Sequence, residues 1–277
     1  MRSTLRRGWR RSVGAATAMT ACGLLLGSMT PASASVTGSD DAYVRKYDHP
    51  MGSQIAKVEG GRGGSAEARS TSGGVQGIDV SGWQRNVDWQ YWWNKGKRFA
   101  YVKATEGLTY KNPYFTQQYN GSYNVGMIRG AYHFALPDKS TGAEQANYFA
   151  GNGGGWSRDG KTLPGVIDLE YNPYGSTCYG KSKAGMAAWI KSFHDTYQVR
   201  TGRYPVIYTS KSWWDQCVGT AGNFASTSPL WIARYSSSVG AMPHGWRYYT
   251  FWQYSTDPLD QNRFNGTYER LKALANG

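Results

Sequence analysis

The sequence predicts an α/β fold, a single barrel of parallel strands ringed by helices, and three observations carry that prediction. Short apolar runs alternate with longer helical stretches from Val75 onward. Some 203 residues follow that point without a further linker, a length that suits one barrel domain. Several of the apolar runs end in acidic, polar or aromatic residues, and a β/α barrel builds its active site at the C-terminal ends of its strands.

The elements follow in order. "VQGIDVS" reads as a strand and "WQYWWNKG" as a helix closed by glycine. "FAYVKAT" is a second strand, "YFTQQYNGSYNVG" a helix ending at Gly126, and "IRGAYHFA" a third strand. The helix "GAEQANYFAGNGG" leads to "LPGVIDLEYNP", a fourth strand that Tyr-Asn-Pro ends. Next come the helix "KAGMAAWIKSFHDTYQVRTG", the strand "YPVIYTS" and a short helical "SWWDQC". The strands "LWIARY" and "YTFWQYS" and a closing helix "YERLKALA" complete the chain. Helices thin out towards the C-terminus, so an irregular barrel is expected there.

The ends and the composition bound the setting. Five arginines precede an apolar run from Val13 to Met29, and Ala32-Ser33-Ala34 supplies an A-x-A site, so residues 1–34 read as a secretory signal cut after Ala34. The run is short and rich in Ala, Thr and Gly, which suits a signal better than a membrane anchor. The net charge is +13, and the five arginines leave about +8 on the mature chain. That charge is spread without a Lys/Arg run, which argues against a nucleic-acid partner and suits an anionic polymer such as a bacterial cell wall. Two cysteines follow the signal, Cys178 and Cys217, and in an exported protein they read as one disulfide. A loop of that length would stabilise by roughly 4 kcal/mol. Residues 35–74 are poor in large apolar side chains and end in "EGGRGGSAEARSTSGG", so they read as a flexible leader or linker without a core of its own.

The chemistry concentrates at strand ends. In "LPGVIDLEYNP", strand alternation puts Val166, Asp168 and Glu170 on one face, with the two acids roughly 6–7 Å apart along the chain. Buried carboxyls are costly unless paired or used. Asp79 ends the first strand, Tyr132 and His133 the third, and Tyr208, Arg234 and Trp252 with Gln253 the later ones, while Asp260 stands alone after the last. Acids converging on one mouth suggest glycoside hydrolysis, with Glu170 kept protonated by its neighbour as a general acid. The chain holds 12 Trp and 21 Tyr, and Trp83, Tyr132, Tyr171 and Trp252 are candidates to stack on sugar rings. His133, His194 and His244 read as structural. No spaced metal site, Gly-rich phosphate loop or serine elbow is visible, so neither metal nor cofactor is expected.

The segments "GIDVSGWQ", "FAYVKATEG", "GMIRGAYHFA", "NYFAGNGGGWSRDGKTLPGVIDLE", "VIYTSKSWWDQC" and "FWQYS…DQNRFNG" resemble glycoside hydrolase family 25, the Chalaropsis-type lysozymes or N-acetylmuramidases, above all secreted actinobacterial members. The resemblance covers about residues 75–277. It implies a flattened, irregular β/α barrel and cleavage of the β-1,4 bond between N-acetylmuramic acid and N-acetylglucosamine with net retention. It also implies Glu170 as general acid/base, Asp168 as the neighbouring acid that stabilises charge on the reacting sugar, Asp79 at the floor of the cleft and Asp260 as the late acid. Three departures stand out. The segment before Asp260 is shortened to "STDPLD", Gly82 stands where histidine is often found, and Tyr171 follows Glu170 where histidine is frequent. The partner implied is the peptidoglycan glycan strand, met outside the cell by a monomer without a membrane anchor. Two other readings stay open on the residues alone: a chitinase-like hydrolase, whose D-x-x-D-x-D-x-E run is absent here, and a wall-binding lectin on the same fold. A structural protein with an arginine-paired D-x-E is a further one.

Overall fold

A computed structural model describes residues 38–61 and 73–277. The predicted signal, residues 1–34, lies outside the described residues, as do residues 62–72.

From Val75 onward the expected alternation is present. In chain order the elements are β1 (Val75–Val80), β2 (Phe99–Glu106), β3 (Tyr110–Lys111), β4 (Ile128–Phe134), β5 (Val166–Asp168), β6 (Val206–Thr209), β7 (Leu230–Ala233), β8 (Phe251–Ser255) and β9 (Gln261–Phe264). The ring runs β1, β2, β4, β5, β6, β7, β8, β9 and closes where β9 pairs with β1. Six junctions are parallel, and only β9 runs antiparallel to both of its neighbours. β3 hangs on β2 as an antiparallel ladder. The fold is therefore the irregular β/α barrel expected, with its irregularity at the C-terminal closure.

Helices cover the outside: α3 (Trp89–Asn94), α4 (Phe115–Asn124), α5 (Gly142–Gly151), α6 (Lys183–Thr201), α7 (Lys211–Cys217) and α8 (Tyr268–Asn276). Their starts are fixed by side-chain caps. Thr141 and Glu144 form a reciprocal capping box on α5, and the Ser182 hydroxyl accepts from the Gly185 N–H at the start of α6. The Cys178–Cys217 disulfide, with Cα atoms 5.3 Å apart, joins the loop after β5 to the end of α7.

Strand alternation sorts the barrel into layers. The inward residues at the N-terminal end are aromatic: Phe99 and Tyr101 from β2, Trp231 from β7, Phe251 from β8 and Phe264 from β9. Their rings interlock, with centroids 4.8 Å apart for Tyr101 and Trp231, 5.4 Å for Trp231 and Phe251, and 5.3 Å for Phe251 and Phe264. One pleat further along the same strands the inward residues turn polar: Asp79, Lys103, Tyr132, Asp168, Tyr208, Gln253 and Asn262, all fully or almost fully buried. His133 points outward, bonded to Thr105 and Gln145 and stacked on Phe193, which fits the structural role expected of it.

The sequence reading differs from the structure in three places. β9 was not expected, because "QNRF" lacks the apolar signature of a strand; it forms because β1 and β8 both leave an edge to pair. β5 stops at Asp168, so Glu170 stands just past the strand. The third difference is the leader, expected to be flexible. Within it α1 (Gly38–Tyr47) and α2 (Ser53–Glu59) are formed and seated on the barrel mouth. The physical reason for the difference is that Met51 and Ile55 bury themselves in the barrel's core, with Val44 buried beside Gly82.

Candidate active site

Glu170 and Asp168 are both fully buried at the C-terminal end of β5. Backbone bonds lock this corner: the Leu169 N–H donates to the Tyr208 carbonyl at 2.9 Å, and the Ala135 N–H to the Asp168 carbonyl at 3.1 Å. Three N–H groups of the leader converge on the Glu170 carboxyl, Gly52 on Oε1 at 2.7 Å and Gln54 and Ile55 on Oε2 at 2.7 and 3.0 Å. Burial pushes Glu170 up to about 7 against the pull of those three donors. Asp168 is driven well above the usual carboxylate range, first by burial and then by the adjoining Glu170 charge. Apart from the Glu170 carboxyl that they face, no donor among the described residues reaches the Asp168 oxygens. Two buried carboxyls in contact cannot both be ionised at little cost, so the pair holds a proton.

A second acid pair lies across the mouth. Asp79 at the end of β1 accepts from Asn262 Nδ2 at 2.6 Å and Gln253 Nε2 at 3.0 Å. Asp260 enters β9 beside it, and the Asp79 N–H donates to the Asp260 carbonyl at 3.4 Å. Burial raises Asp79 to about 7 although the two amides and Asp260 oppose the shift. Asp260 is raised well above its ordinary value by burial, then by Asp79 and Glu170. The shortened "STDPLD" segment thus still brings Asp260 to Asp79, because β9 is held between β1 and β8.

The remaining residues singled out in the sequence divide into two groups. Tyr132, Tyr208 and Tyr171 line the mouth. The Tyr132 hydroxyl accepts from the Met51 N–H, the Tyr208 hydroxyl donates to Gln253 Oε1 at 2.7 Å, and Tyr171 donates to Glu59 at 2.9 Å. Trp83 stands at the rim, 47% exposed, its indole donating to the Asp48 carbonyl at 2.9 Å. Trp252 and Arg234 do not join them. β8 turns Phe251 and Gln253 inward, so Trp252 faces outward, its indole on the Arg234 carbonyl and the Arg263 guanidinium 5.5 Å over its ring. Arg234 is exposed and folds over Gly240, lining a pocket of about 360 Å³ with Lys211 and Ser212.

Their immediate neighbours take the inward places. The Tyr235 hydroxyl donates to Gln253 Oε1 at 2.8 Å, and Asn262 holds Asp79. The signal for Tyr235 was present: counting by two from the buried Trp231 reaches Ala233 and then Tyr235, not Arg234. Lys103 and Glu106, bonded at 2.7 Å, were also passed over, and the same count from Tyr101 reaches Lys103.

Paired buried carboxyls at the strand ends of an α/β barrel define the active site of a glycoside hydrolase. A model of the family described as Glycosyl hydrolases family 25 matches residues 78–262, and the chain belongs to that family. It is 43% identical over 296 residues to lysozyme M1 of Streptomyces globisporus, covering 99% of this chain and 97% of that one. It is 50% identical over 217 residues to an N,O-diacetylmuramidase of Arthroderma benhamiae, covering 77% of this chain and 92% of that one. The structure of a muramidase from Acremonium alcalophilum superposes with a TM-score of 0.72 at 56% identity, covering 73% of this chain and 99% of that one.

Proposed function

We propose that this protein is a secreted lysozyme that hydrolyses the β-1,4 bond between N-acetylmuramic acid and N-acetylglucosamine in bacterial peptidoglycan, with Glu170 as general acid/base and Asp168 assisting. The observation that carries the reading is the contact of the two buried carboxyls of Glu170 and Asp168 at the end of β5. Glu170, raised to about 7, is protonated in part at neutral pH and in that form can give its proton to the departing glycosidic oxygen. Asp168, ionised once its neighbour holds the proton, faces the developing positive charge at the anomeric carbon. It also orients the 2-acetamido group, whose carbonyl oxygen attacks that carbon as the C–O bond breaks. Glu170, now ionised, takes a proton from a water that attacks the anomeric carbon from the side the leaving group left; the bond to the acetamido oxygen breaks and the product is retained. Asp79 and Asp260, tied by Asn262 and Gln253, shape the floor beneath.

Export is supported by the Arg-rich apolar start with its Ala-Ser-Ala site and by the disulfide. Among the described residues no helix is long and apolar enough to cross a membrane. A monomer is proposed because the barrel closes on itself and leaves no unpaired strand in the ring.

Glu170→Gln tests the assignment on purified Gram-positive walls, with mass spectrometry of borohydride-reduced products. The parent barrel, freed of residues 38–61, is expected to release fragments ending in reduced muramic acid and the variant almost none. Release of reduced glucosamine ends would replace the muramidase reading with a chitinase-like one. A trapped covalent adduct on Asp168 would overturn substrate assistance.

A further inference from the structure

We infer that residues 38–61 are an intramolecular inhibitor that fills the glycan cleft, so that the barrel stays inactive until this segment leaves. The inference rests on the lysozyme reading of the site. A general acid has to come within about 2.6–3.2 Å of the oxygen it protonates. Both oxygens of Glu170 are already taken by the N–H groups of Gly52, Gln54 and Ile55, and the carboxyl has no exposed surface. The segment therefore occupies the place from which the proton would be given.

The fit extends along the cleft. The Tyr132 hydroxyl accepts from the Met51 N–H, Tyr235 donates to the Gly52 carbonyl at 3.1 Å, and Gln253 donates to the Met51 carbonyl at 3.3 Å. Asp48 reaches the buried Lys103 ammonium at 2.7 Å, and the His49 carbonyl accepts from the same group at 2.6 Å. Met51 and Ile55 have no exposed surface. Two glycines make the fit possible. Gly52 has φ +84°, and a Cβ there would stand 2.3 Å from the Tyr235 hydroxyl and 2.4 Å from Gln253 Oε1. A Cβ on Gly82 would stand 2.7 Å from the Tyr110 hydroxyl, 2.8 Å from Val44 and 2.9 Å from Asp48, so glycine there leaves room for the segment against the barrel.

The comparisons agree with a separable segment. The match to lysozyme M1 spans 99% of this chain, whereas the Acremonium alcalophilum muramidase matches 73% of this chain with 99% of its own length. That muramidase chain is thus about the length of the barrel alone, and a relative exists whose match extends over nearly the whole of this chain. Release follows from hydrolysis of one peptide bond between the segment and β1 by an endopeptidase: water adds across the C–N bond and leaves a carboxylate and an ammonium terminus. The cut converts a tethered contact into a bimolecular one and removes its effective concentration.

The test places the recognition sequence of a site-specific endopeptidase within residues 62–72 of the chain that follows the signal. Wall hydrolysis is measured before and after cutting and dilution, with pelleting of protein on walls in the same samples. The uncut chain is expected to be slower by at least ~10-fold, the reciprocal of its open fraction. Gly52→Val should raise the uncut rate towards that of the cut enzyme and leave the cut rate unchanged. Ile55→Asp, which places a charge in the same buried contact, should do likewise. Equal rates for uncut, cut and variant chains overturn the inhibitor. Cut and variant chains that pellet on walls where the uncut chain does not, yet release no fragments, support the inhibitor and overturn the lysozyme reading instead. A thermal melt of each variant shows whether the barrel is folded.

Discussion

Phe251 and Gln253 stand two residues apart on β8, yet one packs among the rings of Tyr101, Trp231 and Phe264 while the other ties Asp79 to the Met51 carbonyl. The same step is taken on β1 from Gly77 to Asp79, on β2 from Tyr101 to Lys103 and on β5 from Val166 to Asp168. β2 and β8 thus contribute once to an aromatic floor and once to a polar mouth, while β1 and β5 place Gly77 and Val166 in the floor layer beneath their acids. The floor gains from burial and ring packing. The mouth holds acids whose burial opposes their charge, and it keeps them only because the floor and the surrounding helices fix their positions. Stability and chemistry are separated by one pleat.

Substitutions in the two layers should separate in the same way. The largest effect is expected from Glu170→Gln in the freed enzyme, a fall in wall hydrolysis of about 10²–10⁴-fold with an unchanged melting temperature. A melting temperature that fell with the activity would show that mouth and floor are not separable. Trp231→Ala in the floor should cost about 3–5 kcal/mol of stability, measured by denaturant unfolding. A small loss there would mean that the rings are not the main support.

Titration sharpens the contrast. Asp79 and Glu170 are raised from ordinary values of 3.8 and 4.5 to about 7, and Asp168 and Asp260 are raised as well. A carboxyl raised on folding adds stability that is fully present below its unfolded value and is lost as the pH rises through its folded value. The melting temperature of the full chain should therefore fall as the pH rises from about 4 to about 7, and Asp79→Asn should flatten part of that slope. A melting temperature that rose over this window would contradict the burial account. The smallest effect is expected from Tyr208→Phe, which removes the hydrogen bond to Gln253 at about 0.5–1.5 kcal/mol and leaves the ring in place.

Much of this was legible in the chain. The order of the strands and helices from "VQGIDVS" to "YERLKALA" could be read because apolar runs and helical spacing are local properties. Asp79, Asp168, Glu170 and Asp260 could be singled out because acids at strand ends are conspicuous in any barrel. Trp252 and Arg234 were misplaced for want of the pairing register, which sends Gln253 and Tyr235 inward in their stead. β9 escaped because its four residues acquire strand geometry from two neighbours distant in sequence.

The sequence by itself thus determined the barrel, the acids and the two cysteines, since each depends on residue type and short spacing. The tertiary structure alone decided the fate of residues 38–61. Read locally, they hold too few apolar side chains to fold, and nothing in their own spacing points to Glu170. Seated on the barrel, Met51 and Ile55 find a core made by others, and three backbone N–H groups find a buried carboxylate more than a hundred residues away. Backbone donors carry no side-chain signature, so contacts of this kind become visible only when the chain is folded.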